Sequence, residues 1–203
     1  MRLLAVALLV THLGLSSAAT TYAVDNGHSH LGFTANQSGG DFAGQFDKFT
    51  AQIAFAESDL AGSHFDVEVD TGSVSTGDDE RDTALRSPDL FDVEHYPKAH
   101  FVSTRFTRKA AGQYEAAGKL TIRDVTRDIV VPFSFANGNE SGKAVATLKG
   151  GVTLNRLDYG VGQGDWKDTT LVANEVRVKF DLRLTPRGAA PADKTAQSKA
   201  AAH

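Results

Sequence analysis

Alternation of apolar and polar residues with a period of two is the dominant pattern of the chain. It is clearest over Glu175–Leu184, where Val176, Val178 and Phe180 share one face and charged residues take the other. This period predicts β-strands with one buried face. Further strands are predicted at Ser29–Ala35, Phe42–Phe49, Gln52–Phe55, His64–Asp70, Phe101–Arg108, Tyr114–Ile122, Ile129–Phe135 and Lys143–Leu154.

Turn-forming residues separate these segments, at Ser38–Gly40, Ala61–Ser63, Ala111–Gly112 and Asn137–Asn139. One segment, Asp78–Ser87, is predicted to be helical, because acidic residues stand at its start and Pro88 would end it. Roughly eight to ten short strands with a single helix are typical of an all-β antiparallel barrel or sandwich and not of a βαβ fold.

The two ends of the chain differ in composition from its middle. Residues 1–19 run from a basic start through the apolar Leu3–Val10 to small residues at Ser16–Ala19, which predicts a signal peptide and export to the periplasm. Residues 186–203 are rich in alanine without a strand pattern, which predicts a disordered tail. One domain is therefore expected over residues 20–185.

Composition narrows the classes of function. The chain has no cysteine, so the exported domain would be stabilised by core burial without disulfides. Its net charge is −4, and charges of both signs are scattered along it. Nucleic acid is a poor candidate partner, since its binding requires clustered lysine and arginine.

Three groups of residues suggest chemistry, and each also has a structural interpretation. His28 and His30 would lie on the same side of a strand, as metal ligands can, but nothing else in the sequence has ligand spacing. Gly160–Gly164 lacks the helix that a phosphate loop needs, so a loop between two strands is favoured. The acidic residues between Asp78 and Glu94, with His95, leave open a hydrolase, but no enzyme signature accompanies them.

A segment of mixed charged, aromatic and turn-forming residues, Arg81–Pro97, is the most distinctive part of the chain. With several other pieces it resembles the bacterial YceI-like, polyisoprenoid-binding family over residues 22–184. The other matching pieces are Asp25-xx-His28-Ser29-xxx-Phe33, Gly44–Asp47, Ser75–Gly77, Phe101–Thr104, Gly118–Ile122, Val125–Arg127 and Tyr159–Gly162. Leu90 and Asp124 depart from the family pattern, at positions where a phenylalanine and a glycine are common.

This resemblance implies an extended, lipocalin-like antiparallel barrel of about eight strands with one short helix. It also implies a periplasmic protein that binds a long isoprenoid lipid or an isoprenoid quinone. We expect no cofactor and no metal. A membrane redox protein is then a candidate partner, and a homodimer stays open. No catalytic residues come with the family, so we expect a carrier and not an enzyme.

The residues that would contact such a ligand are predicted from strand parity. A barrel of about eight strands can be filled by its own side chains or can hold one slender ligand, and the alternation alone does not distinguish a fully packed interaction module from a carrier. The predicted lumen residues are Phe33, Phe46, Phe55, Phe65, Val67, Phe106, Leu120, Ile122, Val131, Phe133, Val176, Val178 and Phe180. Candidates for a head-group contact, with a surface role as the alternative, are Arg81, Arg86, Trp166 and Lys167.

Overall fold

The alternating segments form the wall of a closed antiparallel β-barrel. The computed structural model describes residues 19–187. Its strands are β1 (Thr20–Val24), β2 (His30–Gln37), β3 (Gly40–Phe46), β4 (Phe49–Phe55), β5 (His64–Asp70), β6 (Val74–Ser75), β7 (Lys98–Ala110), β8 (Gln113–Ile122), β9 (Val125–Glu140), β10 (Lys143–Asn155) and β11 (Glu175–Pro186). The α-helix, α1, is Asp79–Arg86.

Eleven strand segments make an eight-stranded barrel, because three of the wall strands are interrupted. β1 and β2 both pair along β11, with Tyr22 opposite Pro186 and Phe33 opposite Val178. β3 pairs with β2 and β4 pairs with β1, so β3 and β4 together form the next wall strand. β6 pairs with β3 and β5 pairs with β4, so β5 and β6 form the one after it. β7 to β11 then follow in chain order, and the β1–β11 pairing closes the circle.

The two ends of the barrel carry different connections. At one end lie short turns and the 56–63 loop, together with the beginning of β1 and the end of β11. At the other end lie the long connections 76–97, which contains α1, and 156–174, which contains two short 3-10 turns. We call these the packed end and the mouth end, because of what fills each of them.

Local interactions explain where α1 begins and where it is held. The Asp78 carboxylate accepts a hydrogen bond from the Arg81 amide at 3.0 Å, which caps the first turn. The Arg86 guanidinium donates to the carbonyl oxygens of Gly72 at 2.9 Å and Val74 at 2.6 Å, so the last turn is fixed to β6. The helix therefore lies across the mouth end of the barrel.

The all-β barrel and the single helix predicted from the sequence are confirmed, with some differences in the boundaries. Sequence patterns missed β1 and β6, which are short segments of interrupted strands. The turn predicted at Asn137–Asn139 is wrong, because these residues continue β9 and pair with β10, and the chain reverses at Ser141–Gly142 instead.

The predicted ends of the domain fall partly outside the described residues. Pro186, expected in the tail, belongs to β11, and the Arg187 amide donates to the Thr21 carbonyl oxygen at 2.8 Å. Residues 1–18 of the predicted signal peptide and 188–203 of the predicted tail lie outside residues 19–187. Within that range, no helix has the length and apolar character needed to cross a membrane.

Candidate functional site: an apolar cavity

Aromatic side chains fill the packed end of the barrel. The Phe55 ring centroid lies 4.7 Å from that of Phe135, 5.0 Å from that of Tyr114 and 5.6 Å from that of Phe133. The rings meet edge to face or tilted, which is the favourable geometry for aromatic pairs. Leu184 is 0 % exposed in the same cluster, so this end leaves no passage through the barrel.

A cavity of about 530 Å³ occupies the rest of the interior and opens at the mouth end. Its size lies within the range of about 300–1,000 Å³ that is usual for sites of small ligands. Side chains on its wall point inward yet are only half-buried, as Val176 and Val178 are, because the cavity exposes them. The wall is almost entirely aliphatic and aromatic, so its occupant must be apolar over most of its length.

Glycines in the wall help to keep this space open. A Cβ atom at Gly150 would lie 2.6 Å from Cζ of Phe180, and one at Gly118 would lie 2.7 Å from Cε2 of Phe101. At Gly44, a Cβ atom would overlap the Phe33 ring. Each phenylalanine ring therefore lies against the wall over a glycine, and the centre of the barrel stays unfilled at this level.

The structure places most of the predicted lumen residues on the cavity wall. Those that line it are Phe33, Phe46, Phe65, Val67, Leu120, Ile122, Val131, Phe133, Val176, Val178 and Phe180. The other two, Phe55 and Phe106, do not line the cavity and pack together in the aromatic cluster, 5.9 Å between centroids. Both side chains point inward, but at the packed end, where neighbouring rings already fill the interior.

The predicted head-group candidates separate into two pairs. Arg81 and Trp166 line the mouth of the cavity. The Arg81 guanidinium carbon lies 4.4 Å from the centre of the Phe42 ring, and its Nε donates to Gln37 at 3.3 Å. Arg86 donates hydrogen bonds to the carbonyl groups of Gly72 and Val74, and Lys167 is exposed to solvent. Neither of these two residues lines the cavity.

The two mouth connections are joined to each other. The amides of Gly162 and Gln163 both donate to the Asp89 carbonyl oxygen, at 3.0 and 2.7 Å. Arg123, in the β8–β9 turn, donates to the carbonyl oxygens of Pro88 and Leu90 and lies 3.5 Å from the Asp92 carboxylate. These bonds hold the connections as one rim around the opening.

One charged residue of the cavity wall was not found from the sequence. Arg156 follows β10 directly, is 6 % exposed, and lines the cavity at the mouth end. Its guanidinium donates to the carbonyl oxygens of Ala173, Val161 and Val172, at 3.0, 3.0 and 2.7 Å. No spacing rule identifies such a residue, because its carbonyl partners come from the irregular 156–174 connection.

The residues considered for metal or hydrolytic chemistry have local partners. His28 Nδ1 lies 2.9 Å from Asp25, and residues 19–187 contain no group of three or more potential ligands arranged to hold a metal ion. The Asp82 carboxylate accepts from the amide and hydroxyl groups of Thr76, at 2.8 and 2.7 Å. His95 Nδ1 lies 2.8 Å from Asp92 Oδ1, with the His95 ring facing solvent.

Sequence comparison finds relatives along most of the domain. The family model described as the YceI-like domain matches residues 22–184. A UPF0312 protein of Vibrio cholerae is 32% identical over 157 residues, which are 75% of this chain and 83% of that protein. A UPF0312 protein of Vibrio parahaemolyticus is 32% identical over 154 residues, covering 73% of this chain and 82% of that one.

Solved structures share the same barrel. BcnA of Burkholderia cenocepacia superposes with a TM-score of 0.74 at 32% identity, covering 79% of this chain and 98% of that one. The YCEI protein of Campylobacter jejuni gives 0.64 at 19% identity over 91% and 93% of the two chains. A domain of Saccharophagus degradans, described as polyisoprenoid-binding, gives 0.63 at 17% identity over 83% and 99%, and at this identity the likeness concerns the fold.

Proposed function

Because the chain belongs to the YceI-like family, we propose that it is an exported carrier that holds a long isoprenoid lipid or isoprenoid quinone inside its barrel. The observation that carries this proposal is the apolar cavity of about 530 Å³, closed at the packed end and open at the mouth. The description of the Saccharophagus degradans domain as polyisoprenoid-binding supports the same class of ligand. The signal-peptide pattern of residues 1–19 supports a periplasmic location.

The physical basis of binding would be the burial of hydrocarbon. Each buried CH₂ group gains about 0.8 kcal/mol, so a five-carbon isoprene unit contributes about 4 kcal/mol. Three or four such units offset an association cost of about 4–15 kcal/mol without any specific polar contact. The packed end would then limit how much of a longer chain can enter.

Two other functions receive less support. A barrel that acts only as an interaction module needs no interior space, whereas this one contains an apolar cavity of about 530 Å³. A hydrolase would need free carboxylates, but Asp82 is bound by Thr76 and Asp78 caps α1. Delivery of the ligand to a membrane redox protein and pairing of two copies both stay predictions.

The first experiment is native mass spectrometry of the protein purified gently from the periplasmic fraction, followed by organic extraction. We expect an intact isoprenoid to leave the protein on collisional activation. We also expect the polypeptide mass to match a chain that begins at Thr20. A protein that remains empty after incubation with polyprenyl lipids and quinones would contradict the carrier proposal and favour the interaction module.

Two adjacent valines provide a matched test of the cavity as the binding site. Val131 lines the cavity, and Val130 lies next to it on β9 with 51% exposure on the outer surface. We expect Val131→Asp to abolish binding of an apolar fluorescent probe and Val130→Asp to leave it unchanged. Should Val131→Asp prevent folding, Val131→Thr and Val130→Thr give the same comparison with a smaller loss, and equal binding by both would refute the site.

A further inference from the structure

The Arg156 guanidinium has an unusual environment for a buried charge. Its side chain lies between the cavity and the backbone of the 156–174 connection, with all three nitrogens bonded to carbonyl oxygens. Within residues 19–187 no carboxylate lies in ion-pair distance of it. Burial alone accounts for a lowered pKa of Arg156, which agrees with a cation that has no neighbouring negative charge.

Three other arginines of the barrel, unlike Arg156, have acidic partners. Arg123 lies 3.5 Å from Asp92, Arg177 2.8 Å from Asp41, and Arg183 3.5 Å from Asp25. An unpaired buried charge is strongly unfavourable unless something compensates it. Arginine remains protonated at any physiological pH, so Arg156 cannot escape this by losing its proton.

Two of the hydrogen-bond donors of Arg156 also have no partner among residues 19–187. A guanidinium group carries five N–H donors. Each of its three nitrogens donates one bond, and each bond goes to a different carbonyl group. The remaining N–H groups belong to the two terminal nitrogens, which form the fork that matches two oxygens of a phosphate or carboxylate. The residue borders the cavity, whose other buried wall residues are almost all apolar.

We infer that Arg156 binds the polar end of the ligand, and that this end carries an oxyanion, a phosphate or a carboxylate. This inference rests on the proposed binding of an apolar chain in the cavity. The chain would extend toward the packed end, and the oxyanion would stay at the mouth beside Arg156. The carboxylates of Asp78 and Glu80 also border the opening, but both are exposed, so water and salt screen them far more than the buried guanidinium.

A purely structural role of Arg156 makes a different prediction. By bonding to Val161, Val172 and Ala173 the side chain also fixes the mouth connection, and loosening this connection would weaken every ligand alike. Arg123 offers a matched control, because it fixes the neighbouring connection through Pro88 and Leu90 and does not line the cavity. The informative quantity is therefore a ratio of affinities between two ligands that share one apolar chain.

The experiment measures the binding of farnesol and farnesyl phosphate to the wild type, Arg156→Gln, Arg156→Lys and Arg123→Gln. Trp166, the one tryptophan of the sequence, lines the cavity and reports binding by fluorescence. We expect the wild type to bind the phosphate at least about tenfold tighter than the alcohol. Arg156→Gln should lose this preference and keep its affinity for farnesol within about threefold, Arg156→Lys should keep part of it, and Arg123→Gln should keep it in full.

Each other outcome has a defined meaning. If the wild type binds both ligands equally, or if Arg156→Gln keeps the preference, the oxyanion assignment is wrong while the carrier proposal stands. If the wild type binds neither, the carrier proposal itself fails. If inorganic phosphate stabilised Arg156→Gln as much as it stabilised the wild type, the anion would bind elsewhere, which would also overturn the inference.

Discussion

The packed end and the mouth end of the barrel are made from the same alternating pattern, yet side chains fill the interior only at the packed end. Strand β11 shows the change along a single segment: Leu182 and Leu184 are 5% and 0% exposed, whereas Val176 and Val178 are half-buried although they point inward. Parity therefore determines which side chains face the interior. It does not determine whether the interior is filled.

The difference comes from what each inward residue meets across the barrel. At the packed end, rings from four strands interlock around Phe55, which touches Phe65, Phe106, Tyr114 and Phe133. Toward the mouth, Phe180 and Phe101 lie against glycines of neighbouring strands and leave the centre open. Stability should accordingly be concentrated at one end and ligand affinity at the other.

The largest expected effect compares one phenylalanine from each end. Phe55→Ala should lower the free energy of unfolding by about 3–5 kcal/mol, because it opens a void inside the aromatic cluster. Phe180→Ala should cost no more than about 2 kcal/mol, because one side of its ring already faces the cavity. Urea unfolding with a lipid-binding assay checks both, and a larger stability loss in Phe180→Ala would break the comparison.

Enlarging a residue should have opposite consequences at the two ends. Ala146 is 1% exposed in the packed cluster, so Ala146→Leu should overpack it and destabilise the protein by about 1–3 kcal/mol. Val178→Phe should be nearly neutral for stability, because the ring can enter the cavity, and should shorten the longest chain that binds. Thermal unfolding and a series of isoprenols of increasing length test this pair. Equal destabilisation by both changes would contradict an open mouth end.

A smaller effect is expected from one hydrogen bond at the packed end. The Tyr114 hydroxyl donates to Glu57 Oε1 at 2.9 Å, and Tyr114 is 1% exposed. Tyr114→Phe should therefore reduce the free energy of unfolding by about 0.5–1.5 kcal/mol. Affinity for an apolar probe should not change, because the residue does not line the cavity. Chemical unfolding and probe titration of the same preparation give both values.

The smallest effect belongs to the rim of the mouth and depends on pH. The hydrogen bond that His95 donates to the Asp92 carboxylate, reinforced by the negative charge of Asp92, raises the pKa of His95 above its usual value of 6.5. The protonated form is then favoured by folding, so its contribution is complete below about pH 6.5 and is lost as the pH rises through the raised pKa. The difference in melting temperature between wild type and His95→Gln should shrink over that interval, and a constant difference would show that His95 does not titrate in this way.

The fold was largely predictable from the sequence because its determinants are local or shared with a family. Alternation located nine of the strands, and acidic residues before Pro88 located α1. β1 and β6 were missed because each is too short to show a period and is completed by a partner strand distant in sequence.

The sequence predicted which side chains face the interior of the barrel, but not at which level the interior is filled and at which it is open. Phe55 and Phe180 have equivalent patterns, and only the glycine opposite Phe180 and the rings opposite Phe55 distinguish them. A register shift between Ser103 and Arg105 turns Phe106 inward with Phe101, which no uniform alternation would give. Arg156 was missed because its role depends on carbonyl groups of residues brought together by the mouth connection.

The route by which the chain enters and leaves the barrel has a consequence for attachment. Thr20 lies opposite Phe55, and Pro186 lies opposite Tyr22, so the first and last strands both reach the surface on the side remote from the opening. A tag, a fluorophore or a solid support joined at either position would leave the entrance unobstructed. Barrels immobilised in this way would therefore all present the mouth of the cavity to the solution. A sensor surface that carries them would suit the capture of apolar molecules.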